Sequence, residues 1–570
     1  MEPISAIKFQ SLLSDGEDLI DKEISGDVRI YANPFGIYLL IERCVFNGSL
    51  TLNDVEFNKD VVFRNCVFNG IVSFYNVTFS KKLEFANSRS NDRLEIANCV
   101  FSELYFKGGK FNNVQFKGIL NEVANVKTLI EFQSGTYERL GFYCKEITCP
   151  IQFSGGSYEF IFFEKTKFYN SLSIDGLQLV IKRFYFQSVD FFDRISFSEC
   201  LIDGDVNFHN VSFNEQVIFN RNFTCDALYF SNVIAKQDVS LNYGGNLSWL
   251  DISTCDFQTS LNCYNYNAYD LAQGERKLTC NINGIVRGNI LLEGIPVSSL
   301  TISGVNFGNV IFKKIETHFI TIVDFNNHNK LTFSGLKLNG LYNVFIIFDS
   351  NVNSTEFVNI DFRKFHEFVI SKSEVSNILL SNSILPSKLQ IGTKHPQYGY
   401  VIKADEKIND NTYFRESYRQ LKLAMEKQGN KSYALAFKAK EMFYLRREVP
   451  FGWDKVLLYL NYWSNNNGLS WSRGLIFTFL ISWIMFLLYE HTLIHSSFYW
   501  SLSITKTEAI QGFRNGFDGF LNFLASFPLF KKLENDKNTA ATNAVFIASR
   551  ILIGYGIYQT ITAFRKFGSK

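Results

Sequence analysis

CVFNGSLTLNDVEFNKDVVFRNCVFNGIVSFYNVTFSKKLEFANS, residues 44–88, sets the organisation of the chain. Its rings fall at Phe46, Phe57, Phe63, Phe68, Phe74, Phe79 and Phe85, and the gaps settle into alternating steps of 6 and 5. Two steps make 11 and two elevens make 22, so Phe46 recurs at Phe68, Phe57 at Phe79, Phe63 at Phe85 and Phe79 at Phe101. The same manner continues to Phe116. A fixed period of this size marks a solenoid, in which one coil buries its apolar residues only by stacking on the next.

The beat persists from about Glu23 to Leu389, in triplets of apolar, variable and aromatic residues such as IQF at Phe153, VNF at Phe208, LTF at Phe333 and TEF at Phe357. Asn, Asp, Ser and Gly follow these triplets, and such residues turn corners readily. Short strands that each point one ring inward are therefore expected. The 59 Phe and only 8 Pro in 570 residues suit one stackable ring per turn. Stacked about 4.8 Å apart, coils of this size would build a rod of roughly 75–80 Å.

A small or branched residue stands two places before many of the rings: Cys44, Cys66, Cys99 and Cys255, with Val55 and Val77 elsewhere. This pattern, with Phe46, Phe68, Phe101, Phe257, Phe57 and Phe79 at the bulky place, resembles the pentapeptide-repeat family in a divergent, Phe-rich form. The resemblance covers most of residues 25–390 and implies a right-handed, four-sided β-solenoid. The expected fold is therefore mainly β: a pentapeptide-repeat-like β-solenoid over 25–395, followed by a helical hairpin and an α-helical membrane domain with two spans. Residues 1–24, with an amphipathic run from Ile7 to Ile20, read as a cap on the open end.

The interruption YNYNAYDLAQGERKLTCNING, residues 264–284, loses the beat and carries Glu275, Arg276 and Lys277. Insertions of this kind map to loops on one face, which makes these three the loop-binding candidates. Past Pro396 the composition changes. Phe414, Tyr418, Leu421 and Met425, then Tyr433, Phe437 and Tyr444, fall at helical spacing, with Gly429 and Asn430 as cap residues and Pro450 as the stop. Residues 396–450 read as a hairpin adaptor.

The segment 451–570 carries the membrane signal. GLIFTFLISWIMFLLY (474–489) and NAVFIASRILIGYGIYQTITAF (543–564) are apolar enough to span, with spans expected at about 472–491 and 543–564. GFDGFLNFLASFPLF (516–530) is too short to cross and reads as interfacial or re-entrant. Arg446, Arg447, Lys455 and Arg473 precede the first span, and Arg565, Lys566 and Lys570 follow the second, which places both termini in the cytoplasm of a cell's inner (plasma) membrane. The start lacks a basic n-region and an apolar h-region, so no secretory signal is expected. The 10 Cys follow no disulfide or zinc spacing, as in a reducing compartment.

Arg550 lies inside the second span, where a charge faces a partner, a cavity or an interface. Gly554, Tyr558, Gln559 and Thr562 follow it on or near one side, as an oligomer interface or a wet pore, with Asp518 and Glu534 as candidate partners of the guanidinium. The two-span layout resembles the pore module of tetrameric cation channels. However, Ile553-Gly554-Tyr555-Gly556 cannot be its filter, because no whole span follows it.

No catalytic constellation, cofactor motif or metal cluster is read. His491 and His495 lack the intervening Glu of a zinc protease helix. Asp190, Asp193, Asp203 and Asp205 form a loose acidic group without a repeating carboxylate ladder. A net charge of +2 gives no polyanion signal, so no nucleic acid is expected. The expected partners are the lipid membrane, further copies of the chain and an unknown protein on the solenoid. The expected function is a non-enzymatic, membrane-anchored binding or scaffold module. The alternative is a two-span channel or membrane-permeabilising effector with the solenoid as sensor.

Overall fold

A computed structural model describes residues 1–31, 34–35, 38–122, 128–176, 179–220, 223–242, 247–264, 278–338, 342–389, 410–493, 516–524 and 539–568. The chain divides into two compact units. One holds Met1–Ser373 with Ile378–Gly392; the other holds Thr393–Lys570 with Glu374–Asn377.

The first unit is a β-solenoid of about 16 turns. Its short strands pair in parallel with the strands one coil before and after. Val61–Arg64 pairs with Leu39–Glu42 on one side and with Leu83–Ala86 on the other, so Phe63 sits between Ile41 and Phe85. Within each strand the side chains alternate: Val72 and Phe74 point in, Ser73 and Tyr75 point out. The inward rings stack through Phe63, Phe85, Phe106, Phe132 and Phe153, with centroids 4.9–5.2 Å apart and interplanar angles of 5–12°. Such offset ring pairs add about 0.5–1.5 kcal/mol each beyond the area they bury.

The corners explain the 11-residue beat. Arg43, Asp54, Asn65, Asn76, Asn87 and Asn98 all adopt the left-handed conformation, with φ between 50 and 55°. This conformation costs most L-residues about 1–2 kcal/mol, and Asn and Asp reduce it by local hydrogen bonding. Arg43 is the exception in type, and both carboxylate oxygens of Asp21 accept from its guanidinium at 2.8 Å. The small inward residue comes next. Cys66 Sγ faces the Ile41 carbonyl at 3.3 Å, Ser88 Oγ donates to the Phe63 carbonyl at 3.1 Å, and Cys255 Sγ faces the Phe230 carbonyl at 3.4 Å. The site thus takes a small or branched side chain: Cys and Ser also donate to the carbonyl there, whereas Val55 and Val77 fill the same place by size alone.

The N-terminal end is closed by helix α1 (Ala6–Asp15), capped by Ser5 and ended by Gly16 at φ 75°. Phe9 is fully buried and stands edge-on to Phe46 at 5.3 Å, whose ladder neighbour in the preceding coil is Ile24. The insertion leaves the ladder intact. Leu228 pairs with Leu250 after 22 residues, whereas Leu250 pairs with Cys280 after 30, in unbroken register. Glu275, Arg276 and Lys277 lie outside the described residues.

The second unit is helical. Helices α2 (Asp410–Lys427) and α3 (Lys431–Glu448) form a hairpin turned by Gly429, with Asn430 capping α3. Tyr418, Leu421 and Met425 bury against Phe437 and Tyr444, and Lys422 pairs with Glu441 at 2.8 Å. Helices α4 (Trp453–Asn465), α5 (Trp471–Thr492), α6 (516–524) and α7 (Ala540–Gly568) follow. Both α5 and α7 are long and apolar enough to cross a membrane. Gly474 and Gly556 are their close-packing points, since a Cβ at either would come within 3.2 Å of a Cα on the facing helix.

Two outcomes follow from the stacked core. Phe85→Ala should cost about 3–5 kcal/mol and Asn76→Ala about 1–2, with Asn76→Gly nearly neutral, in denaturant melts read by hydrogen exchange of the coils at 60–110. All ten cysteines are buried, and burial pushes the Cys66, Cys99, Cys200 and Cys255 thiols up to about 12. A raised thiol pKa keeps the protonated, unreactive form throughout the neutral range. Thiolate-directed reagents at pH 8 should therefore label native protein hardly at all and all ten sites after unfolding.

Candidate functional site

Two places combine polar chemistry with shape, one in each unit. The first is on the solenoid. The strands at 161–164, 179–187, 201–209, 225–231, 247–253 and 278–283 lie side by side in one face of the coil stack. Their outward residues form columns. One column runs Phe162, Tyr185, Asn207, Tyr229, Asp251 and Asn281. The next runs Gln187, His209, Ser231, Ser253 and Asn283. A cleft of about 470 Å³ opens between them. Asn207 is shorter than the tyrosines on either side, so Tyr185 and Tyr229 stand as two walls roughly 9–10 Å apart at two rungs' separation.

Asp251 is half-buried in this cleft. Its Oδ1 accepts from Asn283 Nδ2 at 3.2 Å, and the Trp249 side chain also hydrogen-bonds it. Burial holds its carboxyl above the usual range despite these donors. Burial, together with Asp205 and Asp251 on either side, likewise raises the Tyr229 hydroxyl. Sequence reading missed this cleft, although a signal was present: Tyr185, Asn207, Tyr229 and Asp251 are spaced by 22. The acidic group read from the sequence does not converge. Asp190 stands in the column of Lys167 and Ser212, and Asp205 in that of Arg183 and Ala227. Asp193 caps its own turn by accepting from the Arg194 amide, and Asp203 is exposed.

The second place is in the helical unit. Arg550 is fully buried. Its guanidinium lies 4.2 Å from the Phe546 ring centroid and 5.2 Å from that of Phe523, and both terminal nitrogens donate to the Phe523 carbonyl at 3.3–3.4 Å. The charge is held by rings and a carbonyl from α6 and α7. Phe520 and Phe523 of α6 pack on Phe486 and Tyr489 of α5, so α6 is wedged among its neighbours. Asp518 is exposed on α6, and Glu534 lies outside the described residues.

The side read as one polar stripe is divided. Arg550 and Gln559 are buried, Gly554 is half-buried, and Tyr558 and Thr562 are exposed. Gln559 serves a network that ties α7 to α4: Asn461 Oδ1 accepts from Gln559 Nε2 at 2.8 Å and from Tyr555 Oη at 2.7 Å, and Asn465 Nδ2 donates to the Gln559 backbone and side-chain oxygens at 3.0 and 2.5 Å. Ile553 to Gly556 are ordinary helix within α7. Helix α4 was not read from the sequence. His491 is exposed, His495 lies outside the described residues, and no group able to hold a metal occurs among the described residues.

Residues 41–89 match a family of pentapeptide repeats in 9 copies, so this stretch of the solenoid is built of pentapeptide repeats. No curated protein and no solved structure matches the chain.

Removing the Gln559 amide would take one partner from Asn461 and one from Asn465 together. Gln559→Leu should cost about 2–3 kcal/mol and Asn461→Ala a similar amount, with the double variant far from additive, in thermal melts of detergent-solubilised protein.

Proposed function

We propose that the chain is a non-enzymatic binding and scaffold module, a β-solenoid anchored by two spans in a cell's inner (plasma) membrane. In this reading the solenoid and the C-terminus are cytoplasmic, and the membrane helices self-associate. The supporting observation is the outward face of α5 and α7. Only 22% and 28% of their most apolar windows is buried, and Ile476 and Ile551 are 60% and 65% exposed. A contiguous apolar surface of this kind calls for a hydrocarbon solvent.

Helix α4 adds to this. Phe451, Trp453, Leu457 and Trp463 are exposed, and the Asn461–Gln559 network fixes α4 to α7 some 5 residues before the chain reaches Phe564. Aromatic residues suit the headgroup level. The basic residues flanking the two helices support cytoplasmic ends by the positive-inside rule. Tyr558 and Thr562, one turn apart and exposed on α7, are the residues we assign to contact between copies. Arg550 and Gln559 are engaged within one chain, which argues against a water-filled pore lined by them.

Carbonate washing should leave the full chain in the membrane fraction, and protease on the outer side should cut only between α5 and α7. Recovery of full-length protein in the soluble fraction would overturn the anchoring. Liposomes carrying the protein should show no ion flux; a conductance altered by Arg550→Leu would restore the channel.

A further inference from the structure

We infer that the cleft between Tyr185 and Tyr229 is a receptor for a guanidinium group, presented as an arginine side chain by a partner polypeptide. Tyr185 and Tyr229 line it one rung before and one rung after Asn207, so a flat cation entering it can lie against an aromatic ring on either side. Its charge is negative. Asp251 lines the cleft on the rung after Tyr229, and Asp205 stands in the neighbouring column on the rung before it; neither makes an ion pair among the described residues, although Arg183 is the ladder neighbour of Asp205. Charges left half-buried without a counter-ion are costly, and a bound cation would relieve that cost.

The choice of guanidinium over other cations rests on fit. It is planar, stacks on aromatic faces, and carries a fork of N–H donors that matches a carboxylate bidentately. Asp251 already accepts from the Asn283 and Trp249 side chains. The remaining lone pairs, with the Asn207 and Ser253 side chains lining the same cleft, form an acceptor rim around the aromatic slot. An amide-and-aromatic surface also suits neutral sugars, but the Asp251 carboxylate in the cleft favours a cation.

This inference gives the binding role proposed above a chemical class, and it does not depend on how α5 and α7 meet the membrane. The test is titration calorimetry on the full chain in detergent at low salt, with acetyl-Arg-Gly-Arg-amide as probe. The matched citrulline peptide, equal in shape and uncharged, is the control. The arginine peptide should bind at least tenfold more tightly than the citrulline peptide. Asp251→Asn and Tyr229→Leu should each lose tenfold or more, and added salt should weaken binding. Equal binding of the two peptides, no heat from either at millimolar concentration, or displacement of the arginine peptide by a neutral oligosaccharide would each overturn the inference. The citrulline comparison uses the unaltered protein, so it stands even if a variant fails to fold. Failure here would leave the anchoring, judged by carbonate washing, untouched.

Discussion

A strand of two to four residues cannot bury a phenylalanine by itself. Phe63 is enclosed only because Ile41 and Phe85 lie one coil below and one coil above it. Every coil therefore needs both neighbours, and the first coil needs a substitute for one. Helix α1 supplies apolar cover at that end through the buried Phe9 and Leu13. The same constraint forces the backbone groups of each strand to pair with the next coil, so the hydrogen-bond ladder and the ring stack are one feature described twice. What must be conserved along the chain is the rung, and the number of residues between rungs can vary. The step of 22 becomes 30 across the insertion and 20 between Ile290 and Val310, with no loss of register.

This is why so much of the solenoid could be read from the chain. When the spatial repeat equals the sequence repeat, periodic rings in the sequence are stacked rings in space. The corners were less legible. Asn, Asp and Gly mark turns, but the left-handed residue is the one after each four-residue strand, such as Asn65 and Asn76, and not the Asn of FNG at 46–48. The Cys positions looked like choices of size alone. The carbonyl facing each Sγ, and the Ser88 hydroxyl in an equivalent place, show that a donor is used there when present, while Val55 and Val77 show that it is not required.

The helical unit was legible in outline and obscure in detail. Apolar length gives directly two helices able to cross a membrane. It does not show which way a residue faces, and for Arg550 that decides its role. Counting turns from Arg550 put Tyr558 and Thr562 on its side. Packing against α5 and α6 instead divides the helix, with Arg550 and Gln559 inward and Tyr558 and Thr562 outward. Helix α4, WDKVLLYLNYW and its neighbours, is an amphipathic helix too short to cross a membrane, set between the hairpin and the first long apolar run. Its polar anchors, Asn461 and Asn465, gain meaning only beside Gln559, more than ninety residues away.

The cleft was overlooked for the opposite reason. The inward positions are so regular that attention stays on them, while the outward positions carry no hydrophobic signal. Yet the ladder that aligns the rings aligns the outward residues equally well. Anything placed at one outward position can be paired with a chosen residue 22 places later, at no cost to the core. Two tyrosines placed 44 residues apart line one cleft two rungs apart, and a carboxylate one further step along lines it too. The inward face of such a solenoid is committed to stability. The outward face is free to carry recognition, and the run from Tyr185 to Asp251 has the shape and charge that recognition of a planar cation requires.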